Sequence, residues 1–120
     1  MTPPRLHSDY VRDILDAIAK ATSFVSGMSV ETFAEDARTS FAVIRALEIV
    51  GEAARQIPAD VRAAYPGVPW KAMTGIRDKL IHQYFGVDLE VIWRTVQDDL
   101  PPLLAPLASL LTDLERSESE

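Results

Sequence analysis

The stretch Gly75-Ile76-Arg77-Asp78-Lys79-Leu80-Ile81-His82-Gln83-Tyr84 holds an arginine, a histidine five positions on, and a tyrosine two beyond that. These are side chains suited to handling a phosphodiester without a metal. Arginine presents a planar, permanently charged fork to phosphate oxygens. Histidine gives or takes a proton near neutral pH. Tyrosine adds a hydroxyl that donates, accepts or is covalently modified. On an ideal helix Arg77 and Tyr84, seven apart, share a face, whereas Arg77 and His82 stand roughly 140° apart around the cylinder. Those two converge on one phosphate only if the helix ends near His82, which Gly86 would permit, or if two chains build the site together. The second arrangement is favoured: a two-fold dimer with this segment at its axis would gather two arginines and two histidines.

Further polar residues cluster around this stretch. Lys71, Arg77 and Lys79 fall within nine residues, opposed only by Asp78. Upstream, Arg38, Arg45, Glu48, Glu52 and Arg55 form a stripe at helical spacing. Arg45, Glu48 and Glu52, with Asp78 and Lys79, are therefore candidates to line a supporting groove. The plainer reading is an exposed face with local ion pairs such as Glu52 with Arg55, each contributing about 0.2–0.5 kcal/mol. Two details speak for more than that. Glu48 and Glu52 are like charges four apart, and Gly51 interrupts the helix at a cost of about 1 kcal/mol relative to alanine, as close approach by another element would require.

The elements that must position these residues read as helices throughout. After Ser8 and Asp9, either of which suits a helix cap, Val11, Ile14, Leu15, Ile18, Ala21 and Val25 make one apolar stripe that Gly27 closes. Ser29 is expected to cap a short helical turn and Asp36 a long helix from about Ala37 to Ile57. The core face of that helix reads as Phe41, Ile44, Leu47, Val50, Ala54 and Ile57. A connector punctuated by Pro58, Pro66, Gly67 and Pro69 allows one helical turn between Asp60 and Tyr65. The third long helix starts at Pro69, turns Trp70, Met73, Ile76, Leu80 and Ile81 inward, and ends between Tyr84 and Gly86. Asp88 is placed to cap the last segment, where leucines keep helical rhythm through Pro101, Pro102 and Pro106. Proline inside a helix deletes a hydrogen bond, so a kink or restart is expected near Asp98–Pro102, with an aspartate capping the second piece. The reading is an all-α bundle of four to five helices with a proline-kinked C-terminal helix.

At 120 residues, with 48% apolar and 25% charged side chains, the chain suits a single domain over residues 1–120 with a frayed end at 116–120. The absence of cysteine excludes disulfides and thiolate metal sites. Two distant histidines, His7 and His82, do not suggest structural zinc, so no metal or cofactor is expected. No apolar run approaches the roughly 18 residues of a membrane span, and the cytoplasm is the expected location. A net charge of −6 opposes wholesale nucleic-acid binding but permits a local basic groove.

The extended string Pro69-Trp70-x2-Met73-x-Gly75-x-Arg77-Asp78-Lys79-Leu80-Ile81-His82-x-Tyr84-Phe85-Gly86-Val87-Asp88 resembles the HEPN superfamily (higher eukaryotes and prokaryotes nucleotide-binding). Within that superfamily it is similar to the HepT-like toxins of minimal-nucleotidyltransferase toxin–antitoxin systems. Ile44-Arg45-x-Leu47-Glu48-x2-Gly51-Glu52-Ala53 and Asp98-Asp99-Leu100-Pro101 extend the resemblance over nearly the whole chain. It implies a homodimeric or higher even-numbered, metal-independent endoribonuclease toxin of a type VII-like pair, with RNA as substrate and Arg77 and His82 as the catalytic pair. It further implies a nucleotidyltransferase antitoxin that silences the toxin by transferring AMP to the motif tyrosine, here Tyr84. The alternative is a nuclease-inactive HEPN module in which the same pair binds a nucleotide or presents a nucleotidyltransferase to its target.

Overall fold

A computed structural model describes residues 3–81 and 88–120, excluding the side chains of Arg77, Lys79 and Ile81. The described residues form helices α1 (His7–Phe24), α2 (Val30–Glu35), α3 (Ala37–Arg55), α4 (Ala59–Ala64), α5 (Trp70–Ile81), α6 (Leu89–Arg94) and α7 (Leu104–Glu118). Among them there is no strand. The expected all-α bundle is what the chain forms.

α3 lies between α1 and α5, and α7 packs along α1. One continuous core runs through this arrangement. It takes Val11, Ile14 and Ile18 from α1, Val43, Leu47, Val50 and Ala54 from α3, Met73 and Leu80 from α5, and Leu107 and Leu110 from α7. No helix among the described residues is long and apolar enough to cross a membrane.

The start of each helix follows its local chemistry. Ser29 accepts from the backbone N–H of Thr32 at the head of α2, and Asp36 accepts from that of Thr39 at the head of α3. Asp88 likewise receives the N–H groups of Glu90 and Val91. The expected cap at Ser8 or Asp9 is not what begins α1: the cap position is Leu6 and the helix starts at His7. Asp9 instead reaches back to the N–H of Leu6 at 2.8 Å. Ser8 is fully buried and binds Glu118 through both its N–H and its hydroxyl. Residues 116–120 thus include the end of α7 and a carboxylate tied to the first turn of α1.

On α3 the apolar face differs from the expected one at Phe41, which is 73% exposed. Steps of three residues fall about 60° short of a full turn each, so the series 41, 44, 47 and 50 drifts around the helix. Val43, Leu47, Val50, Ala54 and Ile57 stay within one arc and are all buried. Phe41 instead falls in phase with Glu48, Glu52 and Arg55. Gly51 is buried, as its place in the helix suggested.

The C-terminal segment breaks where the prolines require it, and by a specific route. α6 widens into a π turn at Thr95–Asp99, closed by the N–H of Leu100 on the carbonyl of Thr95 at 3.1 Å. Pro101 and Pro102 then open a 3-10 turn, Pro101–Leu103, that leads into α7. No aspartate caps this second piece, because the chain never leaves helical dihedrals: the residue before α7 is Leu103, itself helical. Pro106 is tolerated because it sits in the first turn of α7, where backbone N–H groups lack intrahelical partners anyway.

Candidate functional site

α5 carries the chemistry-bearing stretch as far as Ile81, and its orientation is set at its first residue. Trp70 is 8% exposed and its indole N–H donates to the Tyr65 carbonyl at 3.1 Å. The Tyr65 hydroxyl in turn donates to Asp113 of α7 at 2.5 Å, and that hydrogen bond raises the phenol's pKa, with desolvation adding to it. Met73 and Leu80 then bury one edge of the helix. The opposite edge, about 180° round, carries Lys71, Thr74, Gly75 and Asp78.

The predicted pair is placed only in part. Arg77 and Lys79 occupy helix positions of α5, with their side chains outside the described set. His82 and Tyr84 lie outside the described residues. Asp78 is described: it is exposed and lies 3.6 Å from the guanidinium of Arg55, which also donates to the Thr74 carbonyl at 3.4 Å. These contacts join α3 to α5 at residues on either side of Arg77 in sequence.

The α3 stripe divides between two sides of the helix. Arg45 pairs with Glu48 on its own helix at 3.2 Å, which relieves one of the two like charges noted in the sequence. Arg45 and Glu52 line a groove of about 890 Å³ on the α1 side, together with Arg5, Asp13 and Lys20. Arg55 turns the other way, to α5. Among the described residues no three His, Asp or Glu side chains gather closely enough to hold a metal ion.

Two features escaped the sequence reading. Arg55, Arg62 and Lys71, from three different helices, surround an open depression of about 360 Å³ with Thr74, Gly75 and Asp78. The only signal for Arg62 was a positive charge in a connector. The second feature is an apolar groove of about 470 Å³ between α5 and the bent segment, lined by Ile76, Leu80, Ile92 and Thr95 and rimmed by Asp98 and Asp99. The kink was legible in Pro101 and Pro102. The groove it opens was not, because it depends on how far the π turn stands away from α5.

Comparison with known proteins agrees with the motif. The family described as "Ribonuclease HepT-like" matches residues 14–110. "Probable ribonuclease HepT" of Thermococcus cleftensis is 50% identical over 99 residues, covering 82% of this chain and 90% of the relative. "Putative RNase MJ0125" of Methanocaldococcus jannaschii is 40% identical over 113 residues, covering 94% and 97%. "Putative RNase TTE0752" of Caldanaerobacter subterraneus is 39% identical over 102 residues, covering 85% and 91%. No solved structure matches the chain significantly. With most of its length matched by the family and by relatives above 30% identity, the chain belongs to the HepT-like ribonuclease family.

Proposed function

We propose that this chain is a metal-independent endoribonuclease and the toxin of a toxin–antitoxin pair. The observation that carries the proposal is the intact string Arg77-x4-His82-x-Tyr84 in a chain of the HepT-like family. In this reading one proton-accepting group draws the proton from a ribose 2′-hydroxyl. The resulting oxygen attacks the adjacent phosphorus, and a second group protonates the departing 5′-oxygen. The products are a 2′,3′-cyclic phosphate and a free 5′-hydroxyl. His82 carries protons, and two copies across a dimer divide the accepting and donating roles. Arg77 stabilises charge that builds on the non-bridging oxygens. In this reading Asp78 and Lys79 support the site from α5, and Arg45, Glu48 and Glu52 support it from α3, where Arg45 and Glu52 line the groove on the α1 side.

The partner in this reading is a nucleotidyltransferase antitoxin, and its target is Tyr84. An AMP on that hydroxyl adds a phosphodiester anion that competes for Arg77 and a nucleoside that obstructs RNA entry. The protein acts in the cytoplasm.

The test is induced expression of wild type beside Arg77→Ala and His82→Ala, with growth and RNA integrity as readouts, followed by cleavage assays in excess chelator. The expected result is growth arrest and RNA cleavage by wild type alone, undiminished by chelator. Activity lost to chelator and restored by a divalent ion would overturn the metal-independent mechanism. Intact RNA with wild type would leave the nuclease-inactive module. For the partner, co-expression with the antitoxin should leave AMP on the peptide containing Tyr84, read by mass spectrometry. Tyr84→Phe should stay toxic and resist that control; neutralisation of wild type with the peptide unmodified would sink the idea.

A further inference from the structure

We infer that the depression bounded by Arg55, Arg62 and Lys71 is a phosphate-binding subsite that holds the RNA backbone beside the Arg77–His82 motif. The inference rests on the reading of the chain as an RNA-acting protein, and extends it to residues outside the motif.

Three cations from α3, α4 and α5 face one depression against a single carboxylate, Asp78, in a chain whose net charge is −6. So local an inversion of sign is where a polyanion would be drawn. Two of the three cations are uncommitted. Among the described residues no carboxylate lies within ion-pair distance of Arg62 or Lys71. Arg62 is half-buried, and its Nε is closed off from solvent with no hydrogen-bond partner. Packing seals that nitrogen, so an entering anion would meet the two terminal amino groups of the guanidinium.

The third cation is held loosely. The Arg55–Asp78 contact is 3.6 Å long between side chains 43% and 62% exposed, and such surface pairs contribute little. An incoming phosphate can therefore take Arg55 from Asp78. The floor has room for it: a Cβ built on Gly75 would meet nothing within 4 Å. The lining holds no large apolar side chain, so it lacks the buried anchor on which protein partners depend. A phosphodiester, which needs charge and space only, fits the chemistry.

Register gives the subsite its place. Lys71 and Asp78 share one face of α5, and position 77 lies roughly 9 Å further along the axis than position 71. Position 77 also stands about 120° round the helix from position 71. A strand seated on Arg62 and Lys71 and winding along α5 would cover that step toward Arg77. Contacts of this kind position the backbone and do not read the base.

The experiment uses the wild-type protein and a fluorescent oligonucleotide 2′-O-methylated throughout, which cannot be cleaved by 2′-hydroxyl attack. Binding is followed by anisotropy over a salt series. Lys71→Gln should flatten the slope of log affinity against log salt by about 0.7, and Lys71→Gln/Arg62→Gln by about 1.4, as expected for one and two lost phosphate contacts on a single strand. Arg38→Gln, an exposed cation roughly 25 Å along α3 from Arg55, should leave the slope unchanged. Lys71 is exposed, so its single variant decides the matter if the double variant fails its thermal-melt control. Slopes equal to wild type, or no binding by wild type, overturn the inference. Unchanged slopes with lost neutralisation by the antitoxin overturn it too, and assign the cluster to that protein partner. Failure of wild type to cleave RNA overturns the catalytic reading alone, since the methylated probe reports binding regardless.

Discussion

Phe41 and Leu47 lie less than two turns apart on α3, yet one is 73% exposed and the other 1%. Their substitutions should therefore behave oppositely to their size. Leu47→Ala removes packed atoms and leaves a cavity, so a loss of about 2–5 kcal/mol is expected in denaturant unfolding. Phe41→Ser removes a solvated ring and should cost no more than about 0.5 kcal/mol. A large loss at Phe41 would mean that another surface covers it. Tyr65 makes a second case. Its pKa is raised by the hydrogen bond to Asp113, so the protonated phenol is the form the fold favours. That contribution is complete below the unfolded value of about 10 and lost as pH rises through the folded one. Tyr65→Phe should thus lower the melting temperature at neutral pH, and the gap from wild type should close in strongly alkaline buffer. A gap independent of pH would show that the ring's packing alone was at stake. At this scale the sequence disclosed residue types and helical phase, which is why Arg77, His82 and Tyr84 stood out. It could not disclose that Arg55 reaches Asp78, because the pair depends on the rotation of α3 against α5.

Helix boundaries were legible where a polar side chain closes them, as at Ser29, Asp36 and Asp88. They were misread at the start of α1, where Asp9 closes the helix from within its first turn and Ser8, its second residue, is bound by Glu118 from the far end of the chain. No local pattern announces a partner 110 residues away. The bend after α6 was legible because proline has no N–H to donate. Its form was not, since a π turn followed by a 3-10 turn and a clean break with a new cap satisfy the same deficit. Asp36 offers the test at this scale. Hydrogen bonds from the Thr39 backbone N–H and then the Thr39 hydroxyl hold its carboxyl below its ordinary value. A depressed carboxyl contributes stability above its unfolded pKa of about 3.9, and that contribution is lost as pH falls through the folded value. Asp36→Ala should therefore melt a few degrees below wild type at pH 7, and with wild type in strong acid. Equal melting at both pH values would mean the cap contributes nothing.

For the molecule as a whole, the packing leaves an apolar groove between α5 and the bent C-terminal segment, lined by Ile76, Leu80 and Ile92 and reaching Leu47 of α3. Ile76 and Leu80 stand on either side of Arg77 in sequence, and this groove is where we expect a second copy to meet residues 69–85 across a two-fold axis. Equilibrium sedimentation at micromolar concentration should give a dimer or a higher even assembly, and Ile76→Lys should shift it toward monomer. Function gives a sharper measurement than mass. If each site takes proton-transfer histidines from both protomers, a mixed dimer of wild type with His82→Ala is inactive. Co-expressed in equal amounts and randomly paired, the two forms should then show roughly one quarter of the all-wild-type cleavage rate, the share of wild-type homodimers. If each protomer acts alone, the mixture should show roughly one half. Titrating the mutant fraction separates the cases further, because one falls as the square of the wild-type fraction and the other in proportion. A proportional decline, in a sample shown by mass spectrometry to contain mixed dimers, would sink the shared site and return the geometric problem to a single chain. The helix would then have to end near His82 for Arg77 and His82 to reach one phosphate.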